Sequence, residues 1–545
     1  MPSDVLDISA APTALSLEDD TLRSPPDSDV QRGGKGVRFW IILAALLLST
    51  FLAVLEAYAV STALPTIVAD LRADQFVWVA NAYGIASSAL LPLSGGLSEA
   101  FGRRSVVIGS VALYAAGSAL SGAAQNMNML IAARAVQGAG AGGIYALTQI
   151  ILSDLVTLQE RGAYNGSFGL IWALGGSLGP LVGGALSHHT TWRWLFYLNI
   201  PACALVAFFM VLFLRLSKPS SMRRSEVFAR IDIIGNLLII GSTCSIVIGL
   251  TWGGVEFAWV SAHVLVPLCV GIVGIVAFLA YEWLYCLYPV VPLYLLSNRT
   301  SLSGYIQIAL SSIINITLLY FLPVYYQACK DASPTASGVD LFGLCFSSGP
   351  MAVLAGASVA LTKRYRPQLW LAWCLIIAGL VLISRTTEVT ARAASIGYQI
   401  PIGVGIGIIF SAVYFPVLAP LPITSNAPAL SFLIYLRTFS QIWGVTVGGA
   451  LLQNELKRRL PASIKTVVLG VDNIAYAVVP VIRTLPQPLK DTVREAFAAA
   501  LVPIWRMLIG VAAVGLLVSL PMKSLPLHTM KDESWGMQDA SKRDE

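Results

Sequence analysis

The sequence predicts an all-α polytopic membrane protein. Of its 545 residues, 56% are hydrophobic and 12% are charged, and the mean hydropathy is +0.74. Soluble domains carry about twice that charged fraction. Roughly fourteen apolar runs are long enough to cross the hydrocarbon core of a bilayer as helices. Because these runs are continuous and do not alternate with polar residues, a membrane β-barrel is excluded.

The apolar runs group along the chain as six, two and six, a plan that predicts two bundles of six helices with an inserted two-helix hairpin. Residues 1–38 are polar, and we expect a disordered cytoplasmic N-terminal tail there. The other predicted parts are an N-terminal six-helix bundle at 39–214, a basic cytoplasmic linker at 215–230, a two-helix insert and connection at 231–300, a C-terminal six-helix bundle at 301–521 with a long, extracytoplasmic loop at 453–496, and a cytoplasmic C-terminal tail at 522–545.

Charge placement predicts the orientation of the chain. Basic residues follow the second, sixth and tenth apolar runs, for example Arg103, Arg215 and Lys363, so the positive-inside rule places these connections in the cytoplasm. Lys457 and Arg458 argue the other way, but long loops cross the membrane largely regardless of charge. The net charge of +6 belongs to these connections, and we expect no nucleic-acid partner.

Glu56 is the only charged residue in the apolar run from Phe39 to Leu64. A carboxylate at that depth costs a few kcal/mol, and such acids usually face a bundle interior and serve as proton or ion sites. Glu56 is therefore the first candidate functional residue.

The connection after the second run contains Gly95, Glu99, Gly102, Arg103 and Arg104. Its glycines favour a tight turn, and its acid could pair with the arginines to hold one conformation of the bundle. The alternative interpretation is that the two arginines only satisfy the positive-inside rule.

The fourth run carries Arg134, Gln137 and Gly138 at the start of a glycine-rich stretch. An arginine at this depth needs an acid or carbonyl partner, and its charge would influence the proton affinity of a nearby carboxylate. The alternative is that Arg134 extends to the membrane interface.

The fifth run carries Gly179, Pro180, Gly183 and Gly184. Proline bends a helix, and flanking glycines form a flat surface for a neighbouring helix, which favours a conformational role over ordinary packing of small residues.

Together these motifs resemble the major facilitator superfamily, and within it the fourteen-helix drug:proton antiporters common in fungi. The four main matching segments are Leu55–Ile67, Gly95–Arg104, Arg134–Gly138 and Gly175–Gly184. The sequence departs from that branch in both motifs. Glu56 and Glu99 stand where the branch usually has aspartate, and Ala100 replaces the usual basic residue. The resemblance implies alternating access driven by protons, with the substrate between the two bundles.

Under this resemblance, Glu56 and Arg134 would couple transport to protons. Polar and aromatic residues at helix depth are candidates for the substrate cavity, although hydrogen bonds between helices are an equal alternative for each. These residues are Asn81, Tyr83, Gln137, Gln307, Asn315, Tyr320 and Gln441.

The predicted function is proton-coupled efflux of amphipathic organic compounds such as drugs, toxins or secondary metabolites. An importer or vacuolar carrier of amino acids or iron chelates is the alternative, and a membrane sensor or membrane-embedded enzyme is a remote one. We expect no enzyme activity, cofactor or metal, since no catalytic or metal motif is present and the seven cysteines lack paired spacing. We expect a monomer in the plasma membrane, with the vacuolar membrane as the alternative, whose partners are lipid, protons and a small organic substrate.

Overall fold

The chain forms a helical bundle in which no strand is found among the described residues. The computed structural model describes residues 35–71, 77–156, 158–215, 232–254, 257–286, 289, 291, 293–422, 425–461, 464, 478–479 and 481–526. Its helices are α1 Val37–Leu71, α2 Val77–Phe101, α3 Arg103–Gly122, α4 Met127–Leu155, α5 Leu158–His189, α6 Arg193–Tyr197, α7 Asn199–Phe213, α8 Ile233–Trp252, α9 Ala262–Leu284, α10 Leu293–Leu296, α11 Arg299–Cys329, α12 Pro334–Val339, α13 Phe342–Thr362, α14 Arg366–Ile383, α15 Arg392–Gly397, α16 Gln399–Ala412, α17 Tyr414–Leu418, α18 Asn426–Arg459 and α19 Leu489–Ser519.

Twelve spans in the described part of the chain are long and apolar enough to cross a membrane, by length and composition. Two further long helices, α2 and α18, are not among them. They pack against each other and against α4, and α18 also packs against α11. Interior helices carry more polar residues because they do not face lipid. The all-α polytopic fold is confirmed.

The first seven helices pack around α4 and α5. Helix α4 lies against α2 and α3, α1 lies against α5, and α7 closes the group against α3 and α1. The later helices form a second group in which α11 contacts α18 and α19, while α16 packs between α13 and α14.

Helices α8 and α9 form a hairpin beside α18 and α2. One surface of α9 is apolar and exposed, with Val270, Val273 and Val276 each more than half accessible. Such a surface is expected to face lipid, since an apolar helix is stable there without protein contacts.

The two groups meet along two helix pairs. Helices α5 and α13 touch along their length, since a Cβ added at Gly169 would lie 2.6 Å from the Ala352 side chain. At the end of the bundle that holds the α2–α3 turn, Gly95 of α2 approaches Ser431 of α18, with 3.3 Å between an added Cβ and the serine hydroxyl oxygen. Both pairs join the two groups of helices.

The helices extend into the predicted loop at 453–496. Helix α18 continues to Arg459 and α19 begins at Leu489, so 460–488 is the segment between them. The basic residues Lys457 and Arg458 therefore lie in the last turn of α18.

Candidate functional site

Close packing of α1 on α5 fixes the position of Glu56. A Cβ added at Gly179 would lie 2.7 Å from the Leu55 carbonyl oxygen, and one added at Gly183 would lie 2.2 Å from the Ala59 carbonyl oxygen. The Thr62 hydroxyl donates a hydrogen bond of 3.1 Å to the Pro180 carbonyl oxygen. Only glycine permits this approach, so the motif of α5 holds the helix that carries the buried acid.

The Glu56 carboxylate is fully buried and is surrounded by donors from three helices. The Tyr114 hydroxyl of α3 donates to its Oε2 at 2.6 Å, and the Asn199 amide of α7 donates to the same oxygen at 2.8 Å. Arg134 and Gln137 of α4 also donate to the carboxylate. The arrangement holds a charge in the interior, because both an opposite charge and hydrogen bonds favour the ionised form.

Arg134 is 1% exposed, and its guanidinium contacts several neighbouring groups. Its guanidinium forms an ion pair with Glu56, donates to the Gln137 side-chain oxygen at 2.8 Å, and stacks 4.3 Å from the centre of the Tyr83 ring. Its Nε donates to the Val79 carbonyl oxygen at 3.3 Å. Arg134 therefore does not extend to the interface, and the prediction that it needs an acid partner matches its position.

Glycines of α4 allow these contacts. A Cβ added at Gly138 would lie 2.3 Å from the Tyr83 carbonyl oxygen, and one added at Gly140 would lie 2.3 Å from the Tyr114 backbone nitrogen. Helices α2 and α3 can therefore approach α4 closely enough for Tyr83 and Tyr114 to reach the ion pair.

Two adjoining cavities lie between the two groups of helices. We call the first the Arg134 cavity, and its volume is about 60 Å³. We call the second the Arg437 cavity, and its volume is about 50 Å³. Trp172 and Gln441 line both cavities, so the two spaces share a wall.

The structure divides the predicted cavity residues. Asn81, Tyr83 and Tyr320 line the Arg134 cavity, Asn315 lines the Arg437 cavity, and Gln441 lines both. Two predicted residues line neither. Gln137 belongs to the Glu56 cluster, where it also donates to the Ser118 hydroxyl oxygen at 2.7 Å. Gln307 accepts a hydrogen bond of 2.9 Å from the Trp373 indole and donates to Ser303 at 3.0 Å, which gives it a structural role.

The α2–α3 turn holds an ion pair that the sequence did not suggest. Gly102 has a φ of 85°, which favours glycine. Arg103 is buried and pairs with Asp154 of α4 at 3.3 Å, while Arg104 donates to the Val211 carbonyl oxygen of α7. The Glu99 side chain lies outside the part of the chain that the structure describes.

Gly184, the last glycine of the α5 motif, faces the second group of helices. A Cβ added there would lie 3.1 Å from the Thr335 hydroxyl oxygen of α12. The motif therefore contacts α1 on one side and the opposite group on the other.

One group of residues in the described part of the chain has the composition of a metal site. Asp232, Glu282 and Cys286 offer ligand atoms within 4.8 Å of one another in the α8–α9 hairpin. Asp232 accepts a hydrogen bond of 2.8 Å from the Gly235 amide at the start of α8, and Glu282 accepts one of 3.2 Å from the Val291 amide. These bonds give both acids a structural role, and we assign no metal to them.

Sequence reasoning missed four residues of these sites. Asn199 and Arg437 are polar residues in apolar runs, and the rule that singled out Glu56 would have found both. Tyr114 and Asp154 lacked such a signal, because a tyrosine in an apolar run and an acid at a helix end are both common.

Comparison with known proteins identifies the family. The family model described as Major Facilitator Superfamily matches residues 46–444. The chain belongs to the major facilitator superfamily. Among curated members, it is 36% identical to the efflux pump FUS6 of Gibberella fujikuroi, over 98% of this chain and 97% of that protein. It is 35% identical to the MFS-type efflux pump MMF1 of Pseudozyma antarctica, over 94% and 95% of the two chains.

Solved structures of other members share the fold. The human organic anion transporter MFSD10 has a TM-score of 0.56 at 14% identity, covering 89% of this chain and 100% of that one. The proton:xylose symporter XylE has a TM-score of 0.57 at 12% identity, covering 90% and 98%. Family and fold make this chain a multi-pass secondary transporter and not an enzyme, as the sequence predicted.

Proposed function

We propose that this transporter exports an amphipathic organic compound in exchange for protons, with Glu56 as the proton carrier. The observation that carries the proposal is the buried ion pair of Glu56 with Arg134, which lies beside a cavity between the two groups of helices. Titratable acids in a membrane interior mark proton pathways more often than structural contacts.

The ion pair gives protons control over helix packing. Ionised Glu56 attracts the Arg134 guanidinium and so ties α1 to α4. A proton on the carboxylate removes this attraction and leaves Arg134 free to turn towards the Arg134 cavity, which it lines. Proton binding and release would thereby shift the balance between two arrangements of the bundle.

The small cavities correspond to a closed arrangement of the transporter. The space inside each is sufficient for a few water molecules and not for a drug-sized ligand, which needs about 300 Å³ or more. Substrate entry therefore requires separation of the two groups, and the contacts of α2 with α18 and of α5 with α13 must open in turn. The proline and glycines of α5 provide surfaces for this movement.

The direction of transport follows from the relatives, which are named efflux pumps. We place the protein in the plasma membrane, where export removes the compound from the cell. We propose a monomer as the working unit. The branch of fourteen-helix drug:proton antiporters remains our assignment within the superfamily.

Transport in inside-out membrane vesicles tests the proposal. The vesicle membranes contain the protein, and a pH gradient is imposed with the vesicle lumen acidic. Accumulation of carboxyfluorescein and of rhodamine 6G in the lumen is then measured after filtration and lysis. We expect gradient-dependent accumulation of one or both dyes by the native protein. The Glu56→Gln variant should lose it, because an amide keeps the size of the side chain but neither binds nor releases a proton.

The control is Asp491→Asn, which removes a carboxylate that is 64% exposed on α19. This variant should transport as the native protein does. Full gradient-driven transport by Glu56→Gln would refute the role of Glu56, and gradient-driven loss of dye from the vesicles would favour the importer alternative.

A further inference from the structure

Arg437 of α18 is a second buried arginine in the space between the two groups of helices. It is 3% exposed and lines the Arg437 cavity. Its Nε and Nη2 atoms have no hydrogen-bond partner among the described residues. Its guanidinium lies 4.0 Å from the centre of the Phe410 ring, and this contact with the ring face supplies no acceptor for Nε or Nη2.

The other buried arginines of the described residues have ion-pair partners, so Arg437 differs from them. Arg134 pairs with Glu56 and Arg103 pairs with Asp154. No ion pair involves Arg437 within the described ranges. Tyr414, whose ring centre lies 5.8 Å from the guanidinium, is also buried, and its hydroxyl has no hydrogen-bond partner there either.

A buried arginine without an ion-pair partner is energetically costly, so its presence in this cavity indicates a function. An uncompensated charge in the interior destabilises a protein by several kcal/mol, and intramembrane arginines almost always have a partner. A ligand that brings a negative charge would supply the partner when it binds. Arginine suits this task, because its planar donors match a carboxylate in a two-point contact.

The walls of the Arg437 cavity describe the rest of the ligand. Trp172, Phe410 and Leu319 provide aromatic and aliphatic surface, while Ser311, Asn315 and Gln441 provide neutral hydrogen-bonding groups. No acidic residue lines the cavity among the residues described. A ligand with an apolar body and one anionic oxygen group would satisfy both kinds of wall.

We propose that Arg437 binds the anionic group of the transported compound, so the substrates are apolar organic acids. This inference rests on the proposed transport function and narrows its substrate class. Trp172 and Gln441 line both cavities, so the anion site adjoins the Glu56 proton site. An organic acid bound at Arg437 would then lie close to the group that controls opening.

Equilibrium binding tests the inference without a gradient. Isothermal titration of the purified full-length protein compares 1-naphthylacetic acid with its methyl ester, two probes of the same apolar body and different charge. We expect the native protein to bind the acid at least about tenfold more tightly, as removal of one charged hydrogen bond predicts. Arg437→Gln should lose this preference, and Arg437→Lys should retain part of it because the charge remains.

Arg506→Gln is the matched control, since Arg506 is an exposed arginine on α19. It should leave the acid preference unchanged. Equal binding of acid and ester by the native protein, no binding of the acid, or an undiminished preference in Arg437→Gln would overturn the inference. Thermal unfolding of each variant, measured in the same preparation, checks that the protein is folded.

Failure here is separable from failure of the proposed function. The acid-to-ester ratio depends on neither a pH gradient nor Glu56. Gradient-driven dye transport together with equal binding of the two probes would retain the exporter and reject the anion site.

Discussion

The surroundings of Arg134 and Arg437 differ in one respect that separates two tasks within the bundle. Both arginines are almost fully buried, and both stack on an aromatic ring. Arg134 has a carboxylate from the same chain, whereas Arg437 has no ion-pair partner among the described residues. One charge is neutralised within the protein and can be controlled by a proton, while the other is available to a ligand.

In our two proposals the proton and the substrate therefore bind to different halves of the chain. Glu56 and Arg134 lie on α1 and α4, and Arg437 lies on α18. A cavity wall shared by Trp172 and Gln441 joins the two places. Coupling then requires that the two groups of helices move relative to each other, and the predictions below test this relation.

The largest effect is expected from a covalent link between the two groups. A Cβ built at Gly95 lies 3.9 Å from the Ser431 Cβ, within the range of disulfides. In a background without the seven native cysteines, Gly95→Cys with Ser431→Cys should stop dye transport in vesicles under oxidising conditions. A reducing agent should restore it. The single-cysteine variants serve as controls, and transport at the native rate by the cross-linked protein would show that this closure does not open.

A second prediction concerns the stability of the two arginine sites. Arg134→Gln leaves Glu56 buried without its counter-charge and should lower the free energy of unfolding by about 3–5 kcal/mol. Arg437→Gln removes a buried charge that has no ion-pair partner among the described residues, so the free energy of unfolding should rise rather than fall. Denaturant unfolding in detergent measures both. Equal losses would mean that Arg437 is paired within the protein, and the contrast between the sites would fail.

A third prediction tests the packing that positions Glu56. Gly183→Ala places a methyl group 2.2 Å from the Ala59 carbonyl oxygen and should cost about 1–3 kcal/mol, because α1 and α5 must separate. The control is Gly510→Ala in α19, where an added Cβ meets no atom within 4 Å. The control should be neutral or slightly stabilising. Comparable losses in the two variants would argue against a special role for the α1–α5 contact.

The smallest effect is expected at an ion pair near the surface. This pair shows how much an ion pair contributes to stability when it is not buried as that of Arg134 is. Asp331 contacts Lys490 at 3.0 Å and also pairs with Arg494. Burial raises the pKa of the Asp331 carboxyl, but hydrogen bonds and charges from Lys490 and Arg494 outweigh it and hold the pKa below its usual value. Asp331 is 35% exposed, so Asp331→Asn should cost less than about 1 kcal/mol at neutral pH.

The pH dependence of this effect has a fixed sign. A lowered carboxyl pKa stabilises the fold above the unfolded pKa of about 3.9, and the contribution disappears as the pH falls through the lower, folded value. Unfolding measured from pH 7 downwards should show the native protein and Asp331→Asn converging below about pH 4. A difference that grows towards acid pH would contradict this assignment.

The sequence was sufficient to predict the fold and to single out Glu56 and Arg134, which the structure brings together. Continuous apolar runs predicted the helical membrane fold, and the isolated charge of Glu56 and the glycines of α5 pointed to the site that we propose for the proton. These signals are local, because a residue that is costly in hydrocarbon is conspicuous wherever its partner lies.

The partners themselves were not predictable from the sequence. Tyr114 and Asn199 reach Glu56 from helices 58 and 143 residues away along the chain, and no local pattern encodes such a contact. Gln307 illustrates the converse, since its depth suggested a cavity although Trp373 and Ser303 take up its hydrogen bonds. Whether a buried polar residue is satisfied depends on packing between helices, which only the structure provides.

The most direct test of the account compares net transport with exchange in the Glu56→Gln variant. Proteoliposomes containing the purified variant are loaded with unlabelled 1-naphthylacetic acid, and entry of the radiolabelled acid is measured with and without a pH gradient. Exchange needs the bundle to open and close around substrate and needs no net proton movement. We predict exchange near the native rate, with no stimulation by the gradient. Gradient-stimulated uptake equal to that of the native protein would contradict the claim that Glu56 carries the proton.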